Sequence, residues 1–187
     1  MYPSVTEKIN EYLESHRKDL DGIYISGGEP LMHEGVVSFL QYAKTLNYKI
    51  KIHTNGMFYE RLKTIIAQKL VDHVSLDIKN APSAYAKTCG VEDMDLKDIE
   101  KSLDLLKQSA VPYDICITLV DELHNQATIE ELGQWIQGVD TVILQPFEDS
   151  ETTIDHSLHR PSFEVVLKYK KIFEKYVKHV KIRGDQA

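Results

Sequence analysis

The stretch "IYISGGEPLMHE" at residues 23–34 places two glycines, a glutamate and a proline directly after a short run of β-branched and aromatic residues. Such a run is typical of a β-strand. Gly27 and Gly28 have no Cβ, so the backbone can turn sharply and bring its N–H and C=O groups close to a ligand. Glu29 adds an acceptor for a cationic amine, and Pro30 stiffens the exit from the turn. The stretch therefore predicts a strand–turn–helix unit, in which the turn is either a tight connection between strand and helix or a ligand site.

Strands and helices alternate along the chain around this turn. Apolar periodicity predicts helices at about residues 5–18, 33–46, 58–70, 96–109, 128–138 and 162–176, the first with a capping box formed by Ser4 and Glu7. Five main strands are predicted, in "IYIS", "YKIKIHT", "VDHVSLDIK", "PYDICITLV" and "DTVILQPF", and a short "VKHVKIRG" ends the pattern. Strict alternation implies right-handed crossovers and a parallel sheet in one domain, residues 1–187.

Three predicted strands carry a polar row on one face. The rows are Lys51, His53 and Asn55; Ser75, Asp77 and Lys79; and Asp114, Cys116 and Thr118. A parallel sheet covered on both faces would be apolar throughout. Alternation alone fits either an open doubly wound sheet or an incomplete barrel, but these rows favour a barrel-like sheet with a polar lumen. In both architectures, ligands gather at the carboxyl ends of the strands.

Composition excludes several classes of protein. The 187 residues are 42% hydrophobic and contain no apolar run of about 18 to 20 residues, so we expect no membrane span. No apolar signal-peptide core is found at the N-terminus. A net charge of −7, with acids and bases interleaved, argues against nucleic-acid binding. The only cysteines, Cys89 and Cys116, suit a reducing compartment, and we expect a cytoplasmic protein.

The segment "ISGGEPL" resembles the GGEP motif of radical S-adenosylmethionine (SAM) enzymes, which form partial (β/α)6 barrels. The likeness continues in order through "HTNG", "LVDHVSLDIKNAP", "YAKTCGV", "LVDELH", "WIQGVDTVILQPF" and "KIRG". This ordered set is similar to the activating proteins of anaerobic ribonucleoside-triphosphate reductase, which are activases of a glycyl-radical enzyme. The resemblance implies an α/β partial barrel and a glycyl-radical enzyme as the protein substrate.

The resemblance also implies a SAM site. Its residues would be Gly27, Gly28, Glu29, Pro30, Thr54, Asn55, Asp77, Lys79, His124 and Gln145. The Gly–Gly–Glu turn would hold the methionyl amino group, and Lys79 beside Asp77 would face the carboxylate. His124 would lie beside the adenosine, with Gln145 and Phe147 at the adenine end. The implied reaction is reductive cleavage of SAM to a 5′-deoxyadenosyl radical, which takes a hydrogen from a backbone glycine of the partner.

The family's [4Fe-4S] cluster is held by a CxxxCxxC loop after the first strand of the barrel. The chain starts in what resembles the first helix, so we expect that strand and loop to be absent and the core domain to be truncated at its N-terminus. Cys89 and Cys116 lie far apart and no third thiol exists, so neither a metal ligand nor a catalytic residue is predicted. The chain alone is expected to be inactive. His53 and Cys116 also stand where the family often has aspartate and arginine.

Three other functions fit the residues. The chain could be a non-catalytic module that binds SAM or a partner protein, or an activase of another glycyl-radical enzyme such as pyruvate formate-lyase. An unrelated α/β enzyme could use the turn for phosphate, although Glu29 would repel that anion. Loss of the first strand would also leave an exposed sheet edge, which promotes association.

Overall fold

The structure is a computed structural model that describes residues 5–151, 153 and 155–184. Its helices are α1 (Val5–Ser15), α2 (Val36–Thr45), α3 (Tyr59–Ala67), α4 (Tyr85–Thr88), α5 (Lys97–Gln108), α6 (Gln126–Trp135) and α7 (Phe163–Phe173). Its strands are β1 (Gly22–Ile25), β2 (Lys49–Thr54), β3 (His73–Asp77), β4 (Tyr113–Leu119), β5 (Thr141–Pro146) and β6 (His179–Ile182). Single-turn 3-10 helices, Pro30–Met32 and Pro82–Ala84, precede α2 and α4.

The six strands form one parallel sheet in the order β1 to β6, so each strand pairs with its neighbours in sequence. This order confirms the predicted α/β partial barrel with a parallel sheet. The terminal segment "VKHVKIRG", which was not predicted to be a main strand, forms β6, where Lys181 is paired with Ile143 of β5. It has only two apolar residues in alternation, Val180 and Ile182, and its strand conformation depends on pairing with β5.

Two helices begin at residues that differ from the predicted ones, and the structure at each N-terminus explains why. The helix predicted from residue 33 begins only at Val36, because Pro30–Met32 form a 3-10 turn before it. Helix α6 begins at Gln126, since the Asn125 side chain accepts hydrogen bonds from the backbone N–H groups of Ala127 and Thr128. The predicted capping box of Ser4 and Glu7 lies outside the residues whose side chains are described.

The outer face of the sheet packs against the helices and forms the core. Its side chains alternate with the polar rows, and those of the central strands are almost completely buried: Ile50, Ile52, Val74, Leu76, Ile115, Ile117, Leu119, Val142 and Leu144. Burying one such side chain contributes about 1.5–3 kcal/mol, so this face supplies a substantial part of the hydrophobic stabilisation. In the described part of the chain, no helix has the length and apolar character that crossing a bilayer requires.

The inner face of the sheet is polar, as the alternation predicted. Near the amino ends of the strands, the buried Asp114 carboxylate binds Lys51 Nζ at 3.0 Å and His73 Nε2 at 2.6 Å, and it accepts a further hydrogen bond from Ser75. Burial raises the pKa of Asp114, but these three hydrogen bonds outweigh it and hold the pKa well below its ordinary value. This cluster joins β2, β3 and β4 across the lumen.

At one edge of the described sheet, strand β1 pairs with β2 alone. Tyr24 on this strand is 53% exposed. Association through this edge stays a prediction.

Replacing Asp114 with asparagine is expected to destabilise the fold by about 2–3 kcal/mol, because Lys51 and His73 lose their shared anion while remaining partly buried. Urea unfolding followed by circular dichroism measures the change. A carboxyl group whose pKa is depressed by folding stabilises the protein above its unfolded-state pKa of about 4, and that stabilisation is lost as the pH falls below it. The difference between wild type and variant should therefore shrink below about pH 4.

Asp104→Asn is the matched control, since Asp104 is exposed on α5. It should change the free energy of unfolding by less than about 0.5 kcal/mol. Equal effects of the two substitutions would contradict the role given to the Asp114 cluster.

Candidate functional site

The turn after β1 depends on backbone conformations that favour glycine. Gly27 has φ of 88° and Gly28 has φ of 51°, both in the left-handed region. A Cβ at either position would meet no atom within 4 Å, so the conformation and not the space requires glycine. Both glycines are exposed, while Glu29 and Pro30 after them are buried. The turn therefore leaves Gly27 and Gly28 accessible at the surface.

The Glu29 carboxylate ties this turn to the turn after β2. Its Oε1 accepts hydrogen bonds from Leu31 N at 3.0 Å and Thr54 Oγ1 at 2.8 Å, and its Oε2 accepts one from Asn55 N at 2.7 Å. Glu29 is only 7% exposed. The sequence suggests that this carboxylate receives an amine, whereas in the structure it is occupied mainly by the protein's own donors. Thr54 and Asn55 thus support the turn through Glu29.

A second group of polar side chains lies at the carboxyl end of β3. Lys79 Nζ lies 2.5 Å from Asp77 Oδ2, and His53 Nε2 approaches the same oxygen at 3.8 Å. Burial raises the pKa of Asp77, yet hydrogen bonding from His53 and the charge of Lys79 outweigh it, so the pKa lies below its ordinary value. Asp77 is therefore an anion at neutral pH.

One oxygen of this carboxylate lacks a partner. Asp77 Oδ1 is buried and accepts no hydrogen bond from the residues that the structure describes. An unsatisfied buried acceptor is unfavourable, and this oxygen is almost inaccessible to solvent. The Lys79 ammonium, whose side chain is 40% exposed, is the accessible charge of the pair.

His124 lies behind the site and holds it in place. Its Nε2 lies 3.1 Å from Lys79 O, and its Nδ1 accepts a hydrogen bond from Val120 N at 3.1 Å. The residue is 3% exposed, and burial lowers the pKa of the imidazole. Both ring nitrogens contact the backbone, so His124 fixes the chain around Lys79 where the sequence suggests an open position beside a ligand.

Gln145 lies on the far wall of the lumen, on β5. Its Oε1 accepts a hydrogen bond from Arg183 Nη1 at 2.6 Å, and the Arg183 backbone N–H bonds to Leu144 O. The sequence shows "KIRG" but gives Arg183 no role, because β6 was not recognised as a main strand. Tyr24 was also missed, although its place in alternation with Ile23 and Ile25 puts it on the polar face. Most of the predicted site residues therefore lie at the carboxyl ends of β1 to β3, whereas Gln145 lies on β5.

The cysteines do not fit an iron–sulfur cluster. Such a site needs three thiolates, and the described residues include no group of three or more His, Cys, Asp or Glu side chains that could hold a metal ion. Cys116 lies on β4 in the lumen, and burial raises the pKa of its thiol to about 11. Burial also raises the pKa of Cys89. Both thiols are therefore protonated at neutral pH.

Comparison with known proteins identifies the family. The model of the radical SAM superfamily matches residues 2–136. A protein of Methanocaldococcus jannaschii that is named as a glycyl-radical enzyme activating enzyme is 31% identical over 169 residues, which cover 87% of this chain and 70% of the relative. The chain therefore belongs to the radical SAM superfamily and, within it, to the family of glycyl-radical enzyme activating enzymes.

Solved structures share the fold at low sequence identity. A domain of pyruvate-formate lyase-activating enzyme from Bacteroides vulgatus superposes with a TM-score of 0.68 at 20% identity, covering 87% of this chain and 99% of that domain. A radical SAM methyltransferase from Sphaerobacter thermophilus superposes with a TM-score of 0.73 at 14% identity, and the match covers 94% of this chain and 54% of the methyltransferase. Streptococcus suis SuiB bound to SAM superposes with a TM-score of 0.74 at 13% identity, and the match covers 98% of this chain and 44% of SuiB. These likenesses confirm the partial-barrel fold.

Glu29→Gln is expected to destabilise the protein by about 1–3 kcal/mol, because an amide nitrogen in place of one carboxylate oxygen cannot accept a hydrogen bond from Thr54 or Asn55. Hydrogen exchange should show faster exchange at the Leu31 or Asn55 amides, and urea unfolding gives the stability. Glu34→Gln is the control, since Glu34 is exposed just beyond the same turn. Unchanged exchange at both amides would refute the role of Glu29.

Proposed function

We propose that this chain binds SAM at the carboxyl ends of β1–β3 and serves in a radical SAM activating enzyme for anaerobic ribonucleoside-triphosphate reductase. The observation that carries the SAM site is the combination of the exposed Gly27–Gly28 backbone with the Asp77–Lys79 pair. A peptide carbonyl suits an ammonium group, and Lys79 suits a carboxylate. When bound, SAM would supply the 5′-deoxyadenosyl group from which the family's radical is made.

The residues around this pocket have distinct roles in binding. Gly27 and Gly28 would accept hydrogen bonds from the methionyl ammonium, and Lys79 would pair with the methionyl carboxylate. Pro30, Thr54 and Asn55 would hold the turn in shape. His124 would position the Lys79 backbone, and Gln145, with Arg183, would form the wall toward the nucleoside.

Two substitutions test the SAM site by isothermal calorimetry. Lys79→Ala removes the cation for the carboxylate, and we expect a loss of affinity of about tenfold or more. Gly28→Val introduces a β-branched residue at φ of 51° and should reshape the turn and abolish binding. Gly35→Val is the matched control, because Gly35 has φ of −73° and a Cβ added there would meet no atom within 4 Å. Binding that survives both substitutions would exclude this pocket.

An assay of SAM cleavage tests the prediction that this chain cannot hold an iron–sulfur cluster. After iron–sulfur reconstitution under reducing, anaerobic conditions, we expect no 5′-deoxyadenosine from SAM, since the described residues offer no set of three thiolates. Chromatography of the reaction mixture measures the product. Formation of 5′-deoxyadenosine by this chain would refute the prediction.

The partner is proposed from the ordered motifs, which are similar to those of anaerobic ribonucleotide reductase activases. An activase of pyruvate formate-lyase is the second candidate, because a domain of such an enzyme shares the fold. Surface plasmon resonance with both glycyl-radical enzymes as analytes distinguishes the two. We expect saturable binding of the anaerobic ribonucleotide reductase, and selective binding of pyruvate formate-lyase would favour the second candidate.

A further inference from the structure

The backbone of Lys79 is held by side chains from two other elements. Lys79 lies two residues beyond Asp77, the last residue of β3, so its peptide groups are outside the strand. Its backbone N–H donates a hydrogen bond to Tyr85 Oη at 3.3 Å, and its carbonyl oxygen accepts one from His124 Nε2 at 3.1 Å. Backbone polar groups inside a protein need such partners wherever strand pairing ends. Tyr85 on α4 and His124 after β4 therefore fix the point from which the Lys79 side chain extends.

His124 is itself held on two sides. Its Nδ1 accepts a hydrogen bond from Val120 N at 3.1 Å, so the neutral ring carries its proton on Nε2, which donates to Lys79 O. Its backbone carbonyl accepts a hydrogen bond from Tyr169 Oη on α7 at 2.9 Å. Tyr169 is 6% exposed, so water does not compete freely for this bond. Tyr169 thus acts on Lys79 through His124.

Asn80, the residue after Lys79, ties the end of β3 to the same surroundings. It is completely buried. Its Nδ2 donates hydrogen bonds to Leu123 O at 2.8 Å and to Thr88 Oγ1 at 2.9 Å. Leu123 directly precedes His124, and Thr88 is the last residue of α4. The amide of Asn80 therefore joins the three segments of the chain that meet at Lys79.

We propose that three buried side chains are positioning residues that hold Lys79 in place for the carboxylate of an amino-acid ligand. They are Tyr85, Asn80 and Tyr169, the last acting through His124. The Lys79 side chain is 40% exposed, so its ammonium can reach a ligand while its backbone stays fixed. Ordering a binding group before the ligand arrives lowers the entropic cost of association. The inference rests on the proposed SAM site and names the residues that set the position of its cation.

Calorimetry with two adenosine compounds tests the inference. S-adenosylhomocysteine carries the amino-acid carboxylate, and 5′-methylthioadenosine does not. Tyr169→Phe removes only the hydroxyl that bonds to His124 O. We expect the affinity for S-adenosylhomocysteine to fall by about threefold or more, since members of one hydrogen-bond network are commonly coupled to this extent. The affinity for 5′-methylthioadenosine should stay unchanged.

Tyr48→Phe is the matched control for the loss of a buried hydroxyl. Tyr48 is 2% exposed and its Oη donates to Leu13 O at 2.7 Å, so both tyrosines bond to a backbone carbonyl. Urea unfolding should show similar losses of stability for the two variants. Tyr48→Phe should leave the affinity for S-adenosylhomocysteine unchanged, because its hydrogen bond joins α1 to the residue before β2.

Two further variants separate positioning from a general effect on the fold. In a Lys79→Ala background, Tyr169→Phe should cause no additional loss of affinity for S-adenosylhomocysteine, because the cation that it positions has been removed. Tyr85→Phe in the wild-type background should reproduce the selective loss. The Lys79 N–H then loses its acceptor, while the edge-on packing of the ring against Trp135 remains.

Each failure has a distinct meaning. The inference is overturned, and the SAM site stands, if the wild type binds S-adenosylhomocysteine but Tyr169→Phe weakens both compounds equally or weakens neither. An equal effect of Tyr169→Phe with and without Lys79 overturns it as well. If the wild type does not bind S-adenosylhomocysteine, the proposed SAM site fails and the inference fails with it.

Discussion

The Glu29 carboxylate organises the candidate site. It is buried and accepts three hydrogen bonds from the turns after β1 and β2, which fixes the exposed glycine backbone relative to the neighbouring strand. A buried carboxylate is stable only when donors converge on it, so the geometry of both turns is specified together.

The parallel sheet determines which parts of this arrangement the sequence could predict. Alternation in "KIKIHTN", "HVSLDIK" and "YDICITLV" was sufficient to place Lys51, Asp77 and Asp114 on one polar face, because side-chain direction in a strand has a period of two residues. The strand at residues 179–182 shows a weaker alternation of apolar and polar residues, since only two of its residues are apolar. Pairing with β5, a long-range interaction, decides its conformation.

Hydrogen-bond partners within the site could not be predicted from residue types. Glu29 is recognisable as an anion, but its convergence with Thr54 and Asn55 depends on the register of β1 and β2. His124 is recognisable as a titratable group, but only the packed structure shows both ring nitrogens engaged by backbone atoms. Tyr24 looks like an ordinary strand aromatic until His53 is found 2.9 Å from its hydroxyl.

The sequential order of the strands has a consequence for how the protein folds. Because β1 pairs with β2, the next strand along the chain, the glycine turn, its buried glutamate and the Thr54 and Asn55 donors all lie within residues 27–55. Contacts between residues close in the sequence cost less loop-closure entropy than contacts between distant ones. The glutamate and its donors can thus come together early in folding, whereas the backbone of Lys79 is fixed only when the chain up to His124 is in place.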